Sequence, residues 1–541
     1  MVKKIFAVLA PSLLVAFGMV SFCFFGPVAE ANASSSTVDT TVFLNVGYSH
    51  SFALTSSGSL FAWGSNSSGQ LGDGTTTNQP LPVRIPESCF GSEKVVSLSS
   101  GQDFSVALTS SGNVFTWGLN SYGQLGDGTK TNHVTPVQIS PSCFGGQSIT
   151  SLCCGASFSL ALTSSGSVYS WGANSSGQLG DGTSVHRYVP TPVPTSNFGG
   201  ETVSSLACAG SNSLAMTSSG KVYSWGDNYY GQIGIGRSGG IVSAPTLIPT
   251  SNFGGETIIR LAASSDFSLA LTSSGKVYSW GENDIGQLGD GTTTNRSAPT
   301  LIPSSSFGGE SVSSLFAHYA HGFVLTASGS VYSWGFNTYG QLCDGTTTNR
   351  STPTLVQTSS FGGESVSSIA LGSMYTLALT SSGNVYACGS NFRGELGDGT
   401  LVDRSHSLPD RVVGASPDGL FAANLSGYKT CSEYESAFLA LSDDYAALTA
   451  EQKANLSSII LDDYAAKSDY ASGTKGTTVT ASDKWAGICA LYSSAHPNLS
   501  EEMAMREKDI SQVSSIVAIF LMLFFGFVPL FAIKRKQSKN K

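Results

Sequence analysis

Three groups of residues in this sequence have types and spacings that could do covalent or metal chemistry. His318 and His321 lie close enough to share a metal ion, but a site of that kind needs a third ligand, and none stands beside them. Asp73, Asp127, Asp181, Asp290, Asp344 and Asp398 are each followed by glycine and invite a calcium reading. Calcium asks for six to eight converging oxygens; aspartates scattered one at a time along the chain read instead as turn chemistry. Gly234-Ile235-Gly236-Arg237-Ser238-Gly239 matches a dinucleotide fingerprint by letter. That fingerprint works only between a strand and a helix whose N-terminus meets a pyrophosphate. Here it fills a turn that elsewhere reads Gly-Asp-Gly-Thr-Thr-Thr, as at Gly72–Thr77. No H-E-x-x-H or C-x-x-C occurs, and no pairing of carboxylates rises above chance. The expectation is a chain with no catalytic residue, no metal and no cofactor.

A fourth group points to binding. One short loop recurs along the chain with different side chains at the same two positions: Ser67-Ser68, Ser121-Tyr122, Ser175-Ser176, Tyr229-Tyr230, Asp284-Ile285, Thr338-Tyr339 and Phe392-Arg393. A second variable set precedes a recurring strand: Tyr48, Gln102-Asp103, Ser211, Ser265-Asp266, Tyr319 and Met374. Loops that differ on a repeated frame are where such proteins recognise partners. Tyrosine and arginine concentrate binding energy. Tyr122, Tyr229, Tyr230, Tyr339, Phe392 and Arg393 are therefore the candidate binding residues, with the second set in reserve.

The elements that position them are read from the repeat. Trp63, Trp117, Trp171, Trp225, Trp280 and Trp334, with Cys388 in the same slot, recur every 54 or 55 residues. A period near 50 marks stacked or radially arranged units. In the fifth copy, Phe-Ser-Leu-Ala-Leu and Val-Tyr-Ser-Trp alternate as strands with one buried face, and Ser-Ser-Gly turns between them. Thr-Ile-Ile-Arg-Leu-Ala before them and Pro-Thr-Leu-Ile after them complete four strands. Four strands without a helix-length segment make a blade. Seven copies without divergent caps favour a closed ring over a solenoid. The fold class is all-β, a seven-bladed β-propeller over residues 34–414.

The recurring W-G-x-N-x-x-G-Q-L-G, near-intact in copies one to three, five and six, resembles the repeat of the regulator-of-chromosome-condensation family. The resemblance spans most of the repeat region and implies the seven-bladed propeller. It also implies nucleotide exchange on a small GTPase, a role requiring a cytosolic face. Departures are plain. The position before the second strand, often His in the family, is His only at His50 and His321. Cys388 replaces tryptophan in copy seven, Cys343 replaces glycine in copy six, and copy four reads Gly-Ile-Gly-Arg-Ser-Gly-Gly. The first copy is complete from Val42, so no strand exchange that would close the ring is visible.

The ends suggest export. Lys3 and Lys4, an apolar run from Ile5 to Gly26 and Ala31-Asn32-Ala33 read as a signal peptide over residues 1–33. Residues 514–533 are apolar and about 30 Å long as a helix, enough to span a bilayer. Lys534, Arg535, Lys536, Lys539 and Lys541 follow, the mark of a cytoplasmic side for residues 534–541. Residues 415–513 read as a small α-helical stalk, with helices over Glu433–Leu441, Ala450–Tyr464 and Asp483–Ser493 and a loop over Lys475–Thr480. Cys431 and Cys489 are its only cysteines and form a disulfide candidate, pairing and free thiols both remaining open. The net charge is −9, with 27 Lys+Arg against 36 Asp+Glu. That balance excludes the basic stripe of nucleic-acid binding. The expectation is a single-pass membrane protein whose propeller faces outward as a recognition or adhesion platform for an extracellular protein or glycan. The alternative is an inhibitor of an extracellular enzyme.

Overall fold

Each repeat alternates large with small side chains rather than apolar with polar ones. In blade one the second strand, His50–Thr55, and the third, Leu60–Gly64, are buried along their whole length on both faces. The outer strand, Gln79–Ile85, alternates between buried and exposed residues, and the inner strand, Thr41–Val46, exposes Val42. The reading of these strands as having one buried face is corrected here, because every blade is sandwiched between two others. Phe52 and Leu54 of blade one pack on Val95, Leu98, Ala107 and Trp117 of blade two, and the same arrangement repeats around the ring.

The computed structural model describes residues 40–405, with Asp410–Arg411, Ile460–Leu461 and Val479–Thr480. Seven four-stranded antiparallel sheets, each in chain order from inner to outer strand, form the propeller. Blade one begins with its inner strand Thr41–Val46; blade seven ends with Asp410–Arg411 paired to Tyr386 and Ala387. Before six of the blades the connection makes a single 3-10 turn, such as Thr250–Phe253. Its Phe253 stands edge-on to Tyr278 and Trp280 of the next blade, at 5.7 and 5.9 Å. One turn is too short to leave a periodic signature, and sequence reading passes over it.

One contact joins consecutive blades. The indole N–H of Trp117 donates to the backbone carbonyl of Gln70 in the preceding blade at 2.8 Å. Trp171, Trp225, Trp280 and Trp334 make the same bond to Gln124, Gln178, Gln232 and Gln287 at 2.8–2.9 Å. Two residues after that carbonyl the chain passes against the indole. At Gly126, with φ +70°, a Cβ would lie 2.7 Å from Nε1 of Trp171. Only glycine both adopts this backbone and leaves room for the ring.

The interface between the sixth and seventh copies breaks the rule at both partners. Cys343 occupies the glycine position, still at φ +58°, and Cys388 occupies the tryptophan position. The two form a disulfide with Cα atoms 5.7 Å apart. A covalent staple thus stands where the other interfaces use tryptophan over glycine.

The ring closes without exchanging a strand. Trp63 donates to the carbonyl of Glu395 at 2.8 Å, and the Tyr375 hydroxyl donates to the carbonyl of His50 at 2.9 Å. Leu44, Ala53 and Trp63 of blade one share a core with Leu377, Leu379 and Leu396 of blade seven.

The other sequence expectations fall largely outside the described residues: the signal segment 1–33, the span 514–533, the basic tail 534–541 and the pair Cys431–Cys489. Among the described residues no helix is long and apolar enough to cross a membrane. One correction is possible in residues 415–513. Ile460–Leu461, expected within a helix, is a strand antiparallel to Val479–Thr480, expected within a loop. β-Branched residues crowd both segments, at Ile459-Ile460 and Thr477-Thr478-Val479-Thr480, and they favour extended backbone.

The staple can be tested. It closes a 45-residue separation, for which chain entropy gives about 3–4 kcal/mol. Cys343→Ala should therefore lower the melting temperature of the ring by roughly 5 °C. The double substitution Cys343→Gly with Cys388→Trp should recover most of that loss and abolish the effect of dithiothreitol, as read by thermal unfolding with and without reductant.

Candidate functional site

The two faces of the ring are built differently. One carries the tight turns between second and third strands and the connections between blades, and it repeats one arrangement. Glu201 accepts from Ser219 and Lys221, and Glu256 holds Ser274 and Lys276 in the same way. Glu93 holds Thr109 and Asn113, Glu310 holds Ser328, and Glu364 holds Ser382 and Asn384.

The opposite face carries the turns between inner and second strands and the loops between third and outer strands. Both variable sets therefore lie on one face rather than two. They touch: Gln70 in a loop of blade one donates to Asp103 in a turn of blade two at 3.0 Å.

The frame beneath this face is constant. The backbone N–H of Ser68, Tyr122, Ser176, Tyr230, Ile285 and Tyr339 donates to the amide oxygen of the glutamine two residues on, at 2.9–3.0 Å. Arg393 makes the equivalent bond to Glu395 at 2.8 Å. The loop closes identically whether that residue is Ser, Tyr, Ile or Arg, so its side chain is presented rather than structural. Each Asp-Gly aspartate organises its own loop. Asp181 accepts from Asn174, Thr183 and Arg187. Burial alone would raise its pKa, but the bonds from Thr183 and Arg187 outweigh it and hold the carboxyl below its usual range. These are the turn aspartates expected from sequence.

Blade four departs from the frame. Ile235 replaces the aspartate, so Asn228 loses that partner and keeps the bond to the carbonyl nine residues on, here that of Arg237 at 2.9 Å. The fingerprint-like run there is a loop followed by the strand Ile241–Ile248, with no helix after it.

The candidate residues distribute unevenly over the face. Tyr339 and Phe392 meet edge-on at 6.0 Å, and Phe336 and Tyr319 extend the contact at 6.2 and 6.4 Å. This aromatic arc spans blades six and seven, with Phe392 61% exposed. Tyr229, 69% exposed, stands edge-on to Tyr230 at 4.8 Å in blade four. Tyr122 lies apart in blade two, against His186 at 5.3 Å. Arg393 donates to Ser65 at 3.3 Å; burial raises the pKa of Asp103 and of Glu395, and the Arg393 charge acts against that rise without cancelling it. It is as much a partner of the buried Glu395 carboxylate as a free contact residue.

A second constellation was not anticipated. Asp227, Asp266, Glu282 and Asp284 gather around Tyr230 at blades four and five. Burial, then the charges of Asp227 and Asp284, raise Asp266 to about 6. Burial, then the charges of Asp266 and Asp284, raise Glu282 to about 7, although the Tyr230 hydroxyl and Gln287 bond its carboxylate. Gln287 donates to Glu282 at 3.1 Å and to Asp284 at 3.3 Å. The signal was present two residues after each tryptophan, where Ser65, Leu119, Ala173, Asp227, Glu282 and Phe336 differ as much as the chosen positions do.

At the centre of this face Tyr48 crosses the axis. Its hydroxyl shares a hydrogen bond with Ser265 of blade five at 3.0 Å, and His318 stands edge-on to its ring at 5.2 Å. Beneath it lies a channel cavity of about 320 Å³ lined by the inner strands, including Cys153, Cys154, Cys208 and Arg260. His318 and His321 face each other across one strand pair, and no group of three metal-capable side chains occurs among the described residues.

A closed ring of four-stranded blades, six of its interfaces locked by tryptophan and one by a disulfide, defines a seven-bladed propeller. Residues 26–314 match the RCC1-like domain, and residues 328–379 match the regulator of chromosome condensation (RCC1) repeat. The chain belongs to this family. It is 32% identical over 383 residues to the ultraviolet-B receptor UVR8 of Arabidopsis thaliana, covering 70% of this chain and 83% of that one. It is 35% identical over 332 residues to the human E3 ubiquitin-protein ligase HERC2, covering 61% of this chain but 7% of that one. Among solved structures, human WBSCR16 aligns with TM-score 0.57 and 25% identity, covering 64% of this chain and 88% of that one. Yeast RCC1 (Prp20), bound to Kap60, aligns with TM-score 0.57 and 21% identity, covering 73% and 91%.

The carboxylate cluster has a measurable cost. Asp266 and Glu282 hold their protons to about pH 6 and 7 in the folded chain, but to about pH 4 when unfolded. The folded state therefore binds more protons between pH 4 and 7, and stability falls as pH rises through that window. Asp266→Asn with Glu282→Gln should raise the melting temperature at pH 8 and leave it unchanged near pH 4, as read by thermal unfolding across that range.

Proposed function

We propose that this chain is a non-enzymatic recognition platform, exported and held at the cell surface, that binds a protein partner through the variable face of its propeller. One observation carries this reading: seven loops share the same backbone bonds while the side chains they present differ, and the opposite face repeats a single arrangement. A purely structural ring has no reason to confine its variation to one side. Large exposed aromatics on that side, Tyr229 and Phe392, are costly to leave in water and typical of interfaces.

The Cys343–Cys388 disulfide supports export, since disulfides persist in oxidising compartments. The leader-like segment 1–33 and the apolar segment 514–533 with its basic flank support a surface anchor. An outward-facing propeller leaves nucleotide exchange on a cytosolic GTPase without access to its substrate.

A photo-crosslinking residue placed at Tyr229 or Phe392 in cells should trap a discrete protein adduct, while the same residue at Ser57 or Ser165 on the opposite face should trap none. Adducts from both faces alike, or from the opposite face only, would defeat the proposal. The double substitution Tyr229→Ser, Phe392→Ser should abolish the adduct formed at Tyr122 while shifting the melting temperature by no more than about 2 °C, since exposed side chains contribute little to stability.

A further inference from the structure

We propose, resting on that binding face, that the carboxylates Asp227, Asp266, Glu282 and Asp284 around Tyr229 and Tyr230 take a lysine or arginine side chain of the protein partner, and that the arc of Tyr319, Phe336, Tyr339 and Phe392 takes the apolar residues beside it.

Like charges are brought together here at a cost that the fold does not require. Blades one to three carry Ser65, Leu119 and Ala173 where blades four and five carry Asp227 and Glu282, and they close the same loop. The charges acting on Asp266 and Glu282 are those of neighbouring carboxylates. The Tyr230 hydroxyl sits against Glu282, and the Tyr229 backbone is fixed by Asp227 at 3.1 Å. A cation entering between carboxylates and tyrosine rings meets opposite charge and aromatic faces together.

A second observation points the same way. Gln232 is fully buried, its amide oxygen is held by Tyr230, and its amide nitrogen has no partner, as is also true of Gln124 and Gln341 in blades two and six. In blade one the equivalent nitrogen, that of Gln70, donates to Ser65 and Asp103. The positions matching those two acceptors carry Asp227 in blade four and Asp266 in blade five, whereas the matching positions beside Gln124 and Gln341 begin with the apolar Leu119 and Phe336; the Gln232 donor is thus the orphan placed beside the carboxylate cluster. It is placed to meet an acceptor on the ligand, as a peptide carbonyl beside a basic side chain would supply.

The acidic and aromatic zones are continuous. Ser264, two residues before Asp266, donates to the carbonyl of Tyr319 at 2.6 Å, and Tyr48 lies beside both Asp266 and Tyr319. Blades four and five thus offer charge, and blades six and seven offer apolar surface, along one arc. A segment with alternating basic and apolar residues complements both. An acidic segment is repelled by the first zone, and a neutral sugar leaves the carboxylates' charge unanswered.

Fluorescence anisotropy of the purified full chain with a labelled peptide of alternating lysine and phenylalanine tests this, against glutamate–phenylalanine and lysine–serine peptides and maltohexaose as competitor. The lysine–phenylalanine peptide should bind at least tenfold more tightly than either counterpart. Asp266→Asn with Glu282→Gln should weaken it at least tenfold without lowering the melting temperature. Tyr339→Ser with Phe392→Ser should weaken the lysine–phenylalanine peptide but not the lysine–serine one. Equal binding of the acidic peptide, indifference to the carboxylate substitutions, or displacement by maltohexaose would overturn the proposal. Any of these alongside adducts confined to the variable face would leave that face as the binding site and remove only its cationic partner.

Discussion

The fold depends on a bond between a tryptophan ring and a backbone carbonyl one blade away. The indole N–H pairs with a buried loop carbonyl that in most blades also accepts from a serine hydroxyl of the following blade, as Ser105 does at Gln70, so both lone pairs of that carbonyl are used. The ring itself fills the space between two sheets and excludes any side chain from the glycine beneath it. Six interfaces use this contact, including the one that closes the ring between blades seven and one. The seventh replaces both of its members with cysteine. Either change alone would fail: a tryptophan at position 388 would strike Cys343, and a glycine at position 343 would face a thiol too small to fill the gap.

Because the blades are locked from within, the loops above them are free to differ. Asn66 and its counterparts hold each loop from below through buried bonds, so a substitution at the presented positions leaves the frame alone. Blade four is where that freedom is used most. It loses the loop aspartate, lengthens by one residue, and stands at the edge of the carboxylate cluster. The repeat is least regular where the surface is most charged, which is the pattern of a site maintained at the expense of local stability.

Much of the propeller was legible in the sequence because its signals are local and repeated. Tryptophan spacing, strand alternation and Ser-Ser-Gly turns each recur often enough to fix seven blades. The common placement of the two variable sets was not legible, since strand direction decides which loops share a face and the two sets lie far apart along each repeat. Asp227 and Glu282 were missed, and Asp266 and Asp284 were named only as members of separate variable sets, because the four converge from two blades and different loop positions. The Cys343–Cys388 bond was missed for a similar reason. The two substitutions were visible as separate departures, but only the contact between tryptophan and glycine makes them one event. The expected helix over Ala450–Tyr464 overlooked the β-branched content that sets Ile460–Leu461 as strand.

The central claim is that a constant ring exposes one working face. Amide hydrogen exchange of the full chain, alone and with its crosslink-identified partner, tests it most directly. Protection should appear in the loops at residues 227–232, 264–266, 282–286, 319, 336–340 and 392–394, and be absent from the turns at residues 56–59, 164–167, 273–276 and 381–384. Protection centred on those turns, or spread evenly over both faces, would contradict the account.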